Sequence, residues 1–129
     1  MVGRTIQEQF DLSGRVALIT GGTGHLGTAF STALAEAGAS VIISSRDGKR
    51  GQEAADQLPS PGGATHHGVT LDQMNGDSVA SGFAAAVEAA GQVDVLVNNG
   101  LDAQGKDLTE ISFDSPALSA PGAYVINHF

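Results

Sequence analysis

The sequence contains no cysteine and no tryptophan. The absence of cysteine excludes disulfide bonds, zinc sites built on thiolates and catalysis by a thiol nucleophile, and it is compatible with a reducing compartment. The fold must therefore be held together by a core. A chain of 129 residues is long enough for this, because it can bury roughly two-thirds of its unfolded surface.

Basic residues are also scarce, with 6 Lys plus Arg against 14 Asp plus Glu and a net charge of -8. This charge repels nucleic acid, so an anionic ligand must be held by local groups. No run approaches the ~20 apolar residues of a membrane span. The first residues, MVGRTIQEQFDLSG, lack the apolar core of a signal peptide. We therefore expect no nucleic-acid partner, no membrane and a cytoplasmic location.

Strands alternate with helices along the chain, which indicates one α/β domain over residues 1–129. Short apolar runs rich in β-branched residues predict strands at 16–20, 40–44, 68–71 and 93–97. Such alternation produces a parallel sheet with right-handed crossovers. Residues 1–13 form an N-terminal extension in this interpretation, and residues 101–129 form an atypical C-terminal segment.

Two of the predicted helices have clear apolar stripes. After the first strand, apolar residues recur at the spacing of one helix face: Leu26, Ala29, Phe30, Ala33, Leu34 and Ala37. Before the fourth strand the stripe is Val79, Phe83, Ala86, Val87 and Ala90. Gly38 and Gly91 end these helices, and Asp77 or Asn75 caps the second. Weaker helices are predicted over 47–58 and around 108–113.

A glycine-rich loop, TGGTGHLG over residues 20–27, lies between the first strand and the strongest helix. Glycines here permit a tight turn, close approach of the backbone to a pyrophosphate, and close packing of helix on strand. Free N–H groups at the helix N-terminus attract phosphates. The order strand, loop, helix, strand predicts a dinucleotide site. The alternative is a turn that needs glycine only for its geometry.

The end of the second strand bears on which dinucleotide is bound. NAD sites place an acidic residue near this point, where it binds the ribose 2′-hydroxyl. Here Ser44, Ser45 and Arg46 follow one another, and a guanidinium suits a 2′-phosphate. We therefore favour NADP(H) over NAD(H). Two alternatives stay open: Arg46 is a solvated surface residue, or Asp47 pairs with Arg46 or with hydroxyls.

Together these features resemble the short-chain dehydrogenase/reductase family over about residues 10–115. The loop fits the family spacing T-G-x-x-G-x-x-G; in the register T-G-x-x-x-G-x-G, His25 replaces a glycine. Residues 94–100 are similar to the family segment D-x-L-V-N-N-A-G, with Gly100 where alanine is usual and Leu101 where glycine is usual. Residues 107–114 resemble the stretch before the next family helix. The resemblance implies a Rossmann-like three-layer fold with a parallel sheet, shortened at the C-terminal side.

The resemblance also implies a set of contacts with the cofactor. The residues expected around the pyrophosphate are Gly21, Thr23, Gly24, His25, Leu26 and Gly27. Those expected farther along are Arg46 at the 2′-phosphate, Asp72 at the adenine amino group, and Asn98 and Asn99 beside the adenine ribose, with Ser45 and Gly100 also expected in the cofactor site.

The residues that perform the family reaction are not found in this chain. The family uses a Ser and then Tyr-x-x-x-Lys, in which the tyrosine transfers a proton and the lysine lowers its pKa. The single tyrosine, Tyr124, has His128 at the fourth following position. Residues 122–127 are either a fifth strand or the family helix with an active-site asparagine, here Asn127. We therefore predict no catalytic residue and a truncation before the catalytic motif.

The pair His66 and His67 does not predict a metal site. Adjacent residues on a strand point to opposite faces, so they do not easily share one ion. No third ligand is placed by the sequence, and we expect no metal.

Two functions remain open from the sequence. The first is the cofactor-binding part of an oxidoreductase that moves hydride between NADP(H) and a carbonyl or alcohol substrate. The second is a catalytically silent nucleotide-binding or protein-interaction module. In both cases a sheet that stops after its fourth strand exposes an edge, so we expect a homo-oligomer or a partner chain.

Overall fold

The computed structural model describes residues 3–100. Its elements in chain order are α1 (Ile6–Gln9), β1 (Val16–Thr20), α2 (His25–Glu36), β2 (Ser40–Ser45), α3 (Gly48–Asp56), β3 (His67–Thr70), α4 (Gly76–Ala90) and β4 (Val95–Val97). All strand pairs are parallel, in the order β3-β2-β1-β4. The predicted α/β fold with a parallel sheet is therefore confirmed. The predictions for residues 107–114, Leu101, Tyr124 and 122–127 lie outside the described residues.

The sheet is the middle of three layers, with α2 and α3 on one face and α4 on the other. Alternate strand residues point to opposite faces, so β1 and β2 contribute side chains to both cores. On one face, Ile19, Val41 and Ile43 are buried with Ala35 of α2 and Ala55 of α3. The opposite face buries a second set against α4, made up of Val16, Leu18, Ile42, Val69 and Ala86. Both faces of β1 and β2 are covered in this way, which is why these strands read as continuous apolar runs.

The helices predicted after β1 and before β4 are present, but their apolar stripes are buried only in part, since Leu34 and Ala86 pack on the sheet and other members do not. In α2 the buried residues are Gly27, Ser31 and Ala35, whereas Leu26 is 64% exposed and Phe30 is 44% exposed. In α4 the buried residues are the small ones, Gly82 and Ala86, while Val79 and Phe83 are exposed. The packed positions of these helices are thus held mainly by small residues, while several large members of the predicted stripes are exposed.

Close approach of helix and sheet explains why small residues occupy the packed positions of these helices. A Cβ atom added to Gly82 in α4 would lie 2.7 Å from the carbonyl oxygen of Thr70 at the end of β3. Only small side chains fit at such a distance, and the larger ones must turn outward. In α2, the buried Ser31 hydroxyl has no hydrogen-bond partner among the described residues.

Caps define the helix ends much as the sequence indicates. The side chain of Asn75, rather than Asp77, caps α4 by accepting from the Ser78 backbone N–H. Gly91 ends that helix in the left-handed region, at φ +82°. The helix α1, which falls in the predicted N-terminal extension, was not expected. Its signal is the capping box formed by Thr5 and Glu8.

The fourth strand is shorter than predicted, since it begins at Val95 rather than at residue 93. Asp94 precedes it and closes the ladder to β1 in two ways. Its backbone N–H donates to the Val16 carbonyl at 2.9 Å, and its carboxylate accepts from the Val16 N–H at 2.8 Å. Because the Asp94 side chain takes the place of a strand carbonyl, regular pairing between β4 and β1 starts at Val95. No helix within residues 3–100 is long and apolar enough to cross a membrane.

This carboxylate contact makes part of the stability depend on pH. The hydrogen bond from the Val16 N–H, helped by Gln92 and Arg15, holds the pKa of Asp94 below its ordinary value. The unfolded chain then binds more protons than the native one near this pKa. The stabilisation is present above about pH 4 and is lost as the pH falls through the native pKa.

We expect Asp94→Asn to flatten the acid side of the stability profile, because asparagine keeps an acceptor oxygen but does not titrate. The measurement is the free energy of unfolding in urea at neutral pH and at about pH 3. The exposed Glu53 in α3 supplies the control, Glu53→Gln. An Asp94→Asn profile as steep as that of the wild type would contradict the role given to this contact.

Candidate functional site

The segment from Thr20 to Gly27, here called the glycine loop, connects β1 to α2 at the carboxyl edge of the sheet. Gly21 adopts φ +62°, in the left-handed region that favours glycine. Gly24 is the N-cap of α2 and has no side chain with which to cap it. The first backbone N–H groups of α2 therefore face the space beside the loop rather than a capping side chain.

The glycines of this loop serve different purposes. A Cβ atom on Gly27 would collide with the Gly21 carbonyl and lie 2.7 Å from the Gly22 Cα, so this glycine permits α2 to pack on the loop. A Cβ atom on Gly24 would meet nothing closer than 3.4 Å. A side chain at Gly24 would thus make only an ordinary van der Waals contact, so close packing does not require the glycine there. Glycine at this position leaves the backbone accessible to a ligand.

Thr20 and Asn99 fasten the glycine loop to the segment that follows β4. The Thr20 hydroxyl accepts from the backbone N–H groups of Asn99 and Gly100, both at 3.0 Å. The Asn99 side-chain amide in turn donates to the Gly21 carbonyl at 3.2 Å. The end of β4 thus helps to shape the loop, which gives Asn99 a structural role beyond the ribose contact expected for it.

A cleft of about 840 Å³ opens at this edge of the sheet, where the carboxyl ends of parallel strands meet. Ligands of open α/β sheets bind at such a crevice. The structure brings every predicted site residue to the cleft except Asn98. The lining residues that had been predicted are Gly21, Thr23, Gly24, His25, Leu26, Gly27, Ser45, Arg46, Asp72, Asn99 and Gly100.

Six further lining residues were not predicted from the sequence: Thr20, Ser44, Asp47, Arg50, Leu71 and Gln73. Most of them were within reach of sequence reasoning. Thr20 and Ser44 lie at or near the ends of strands, and Leu71 and Gln73 flank Asp72. Arg50 gives a weaker signal, because it belongs to a helix and its position depends on how that helix begins.

Asp47 is committed to the start of α3. Its carboxylate accepts from the backbone N–H groups of Lys49 at 3.0 Å and Arg50 at 3.4 Å, as an N-cap does. The nearby Arg46 has no acidic partner within ion-pair distance, since Arg15–Asp94 is the one ion pair found among residues 3–100. Of the alternatives left open by the sequence, a pair between Asp47 and Arg46 is therefore excluded.

Asp72 lines the cleft directly after β3, next to the buried Leu71. Its carboxylate accepts from the Met74 N–H at 3.0 Å, and its own N–H donates to the Ser78 hydroxyl at 2.9 Å. These contacts hold the turn between β3 and α4. The carboxylate keeps acceptor capacity toward the cleft, because a carboxylate has about four lone-pair sites.

His66 lies away from the cleft and is engaged by the protein itself. Its Nδ1 accepts from the Val41 N–H at 3.0 Å, and its Nε2 lies 2.9 Å from the Pro59 carbonyl oxygen. The imidazole thus takes the place of a strand carbonyl beside β2. Within the described part of the chain, no group of three or more His, Asp or Glu is arranged to hold a metal ion.

Comparison with known proteins places this chain in a family. Residues 15–115 match the family model for short chain dehydrogenase. The chain is 33% identical over 91 residues to 3-oxoacyl-(acyl-carrier-protein) reductase FabG of Aquifex aeolicus, a match that covers 70% of this chain and 37% of the reductase. It is 31% identical over 93 residues to short chain dehydrogenase/reductase astE of Aspergillus oryzae, covering 72% of this chain and 36% of that protein.

Solved structures agree with this result. A short-chain type dehydrogenase/reductase from Mycobacterium marinum superposes with a TM-score of 0.70 at 28% identity, over 85% of this chain and 44% of that one. Hydroxysteroid dehydrogenase from Escherichia coli gives a TM-score of 0.65 at 26% identity, over 73% of this chain and 40% of that one. The chain thus spans less than half the length of these relatives. Because the family match covers most of its residues, the chain belongs to the short-chain dehydrogenase family.

Proposed function

We propose that this chain binds NADP(H), in preference to NAD(H), in the cleft between the glycine loop and the β2–α3 turn. Proteins of the family bind NAD or NADP. The observation that carries the proposal is the continuity of one cleft from the open N-terminus of α2 to Arg46. NADP has phosphates to match both ends, since its pyrophosphate suits the helix terminus and its 2′-phosphate suits a guanidinium.

The distribution of charge supports the same conclusion. The chain carries a net charge of -8, yet Arg46, Lys49 and Arg50 supply half of its six basic residues within five positions. Two of these, Arg46 and Arg50, line the cleft. Local cations thus offset the unfavourable overall field for a polyanionic ligand.

In the proposed pose each wall of the cleft contacts one part of the cofactor. The glycine loop holds the pyrophosphate through Gly21, Thr23, Gly24, His25, Leu26 and Gly27. Ser45 and Arg46 contact the 2′-phosphate, and Asp72 accepts from the adenine amino group. Asn98, Asn99 and Gly100 flank the adenine ribose; for Asn98 this rests on the sequence motif, since it does not line the cleft.

We propose that the chain is the cofactor-binding part of an oxidoreductase that acts on a carbonyl or alcohol substrate. The cofactor would supply hydride, and this chain would hold its adenosine half. A second candidate is a catalytically silent nucleotide-binding or protein-interaction module. The two candidates differ in whether the groups that transfer a proton act together with this chain.

Gly24→Val tests phosphate binding at the glycine loop. Valine fits the extended backbone of Gly24, at φ -78° and ψ 175°, so the fold should persist, with a capping cost of about 1 kcal/mol. Its side chain would fill the space beside the loop. We expect NADP and NAD both to bind at least about tenfold more weakly by calorimetry.

Gly76→Val is the matched control for this substitution. Gly76 also begins a helix, and a Cβ atom there would meet nothing within 4 Å. This variant should bind both nucleotides as the wild type does. Unchanged nucleotide affinity in Gly24→Val would refute the assignment of the loop. Gly21 is less suitable as a test, because its positive φ means that any substitution also strains the fold.

Arg46→Ala tests the preference for NADP. We expect NADP binding to weaken by about 1.5–3 kcal/mol, as for a charged hydrogen-bonded contact, and NAD binding to change little. The measurement is the ratio of the two dissociation constants before and after mutation. Equal losses for both nucleotides would show that Arg46 does not contact the 2′-phosphate.

Turnover separates the two candidate functions. The purified 129-residue chain should oxidise NADPH with a panel of carbonyl compounds far more slowly than about 10 s⁻¹, which is typical of enzymes. The reason is that positioned acid–base groups contribute roughly 10²–10⁴-fold, and the family motif is absent. Turnover near the typical value would reject the silent module. Loss of that turnover in Tyr124→Phe would then identify Tyr124 as the proton donor.

We further propose that the chain self-associates or binds a partner chain. In the described part of the chain, β4 forms one edge of the sheet and its Leu96 is 53% exposed. Unpaired strand edges and exposed apolar faces promote association. Light scattering over a concentration series, with and without NADPH, measures this. A folded monomer at every concentration would contradict it.

The predicted cytoplasmic location stays a prediction, which fractionation of cells that produce the tagged chain would test.

A further inference from the structure

We propose that Arg50 is a second specificity-determining residue for the 2′-phosphate and that it acts together with Arg46. This inference rests on the proposed preference for NADP. Both arginines line the cleft, Arg46 from the β2–α3 turn and Arg50 from the first turn of α3. The sequence motif indicates only Arg46, because Arg50 lies inside a helix whose start fixes where its side chain can reach.

The start of α3 determines which basic residue faces the ligand. Asp47 caps the helix, and its carboxylate accepts hydrogen bonds from the backbone N–H groups of Lys49 and Arg50. Neighbouring helical residues point about 100° apart, since a turn contains 3.6 residues. Arg50 lines the cleft, whereas Lys49 does not. Two cations adjacent in sequence therefore differ in their access to the site, which supplies an internal comparison.

Neither guanidinium at the site is neutralised by an acidic residue in the described part of the chain. Within residues 3–100, Arg46 and Arg50 make no ion pair. Two acidic residues also line the cleft, but both carboxylates are hydrogen-bonded to backbone, Asp47 to α3 and Asp72 to Met74. Two unpaired like charges beside one cleft repel each other, and a bound dianion compensates both. A phosphate also offers enough oxygens to accept from two guanidinium groups.

The competing role for Arg50 is to stack on the adenine ring, which would not depend on the 2′-phosphate. A guanidinium is planar and stacks on aromatic faces. Stacking would help NAD and NADP equally, because both carry the same adenine. The two roles are therefore separated by a comparison of ligands that differ only in the 2′-phosphate.

The experiment is calorimetric titration of the full chain with NADP, NAD and adenosine 2′,5′-bisphosphate. We expect Arg50→Ala to weaken NADP and the bisphosphate at least about tenfold, and NAD by less than about twofold. Arg50→Lys should lose less than Arg50→Ala, because it keeps the charge without the planar fork. Lys49→Ala removes the same charge from the same helical turn and should leave all three affinities within about twofold.

The outcomes separate this inference from the proposed function. A wild-type chain that binds NADP no more tightly than NAD would refute both. If the wild type prefers NADP and Arg50→Ala keeps that preference, only the role of Arg50 is refuted. Equal weakening of NAD and NADP would instead assign Arg50 to the adenine ring. Urea unfolding of each variant shows whether the exposed substitution leaves the fold intact, and Arg50→Lys provides a second test if Arg50→Ala does not fold.

Discussion

The contact between α2 and the glycine loop is the constraint on which the rest of the site depends. Gly27 lies so close to the Gly21 carbonyl and the Gly22 Cα that no side chain fits between them. This contact sets the helix against the sheet and directs its N-terminus at the cleft. The same closeness recurs in α4, where Gly82 approaches Thr70. The proposed phosphate binding would thus follow from how tightly the helix packs, because the packing places the free N–H groups.

Much of the fold follows from local sequence signals, whereas the packed faces do not. The strand at 16–20 and the end of α4 at Gly91 were predicted to the residue, because β-branched runs and glycine caps act locally. The stripe with Leu26 and Phe30 marks a helix but not its packed face, because apolar periodicity does not say which partner covers each face. Arg50 was missed for a related reason, since its access to the cleft depends on the start of α3.

The acidic composition and the anionic ligand are reconciled by the positions of a few charges. The chain has few cations, but Arg46 and Arg50 lie at the cleft, and Asp47 is hydrogen-bonded to the first N–H groups of α3. Backbone N–H groups serve the pyrophosphate end, where no basic side chain lines the glycine loop other than His25. Specificity and affinity therefore have separate origins in this account, the first in side chains and the second in backbone geometry.

Amide NMR of the ¹⁵N-labelled chain during titration with NADP tests the central claim most directly, because it reads the whole cleft at once. The account predicts that the largest shifts fall in the glycine loop, at 44–47 and Arg50, at 71–73 and at 99–100, which line the cleft. It also predicts little change at 59–66, the loop held by His66. Shifts that concentrate at 59–66, or a spectrum unchanged by saturating NADP, would contradict it.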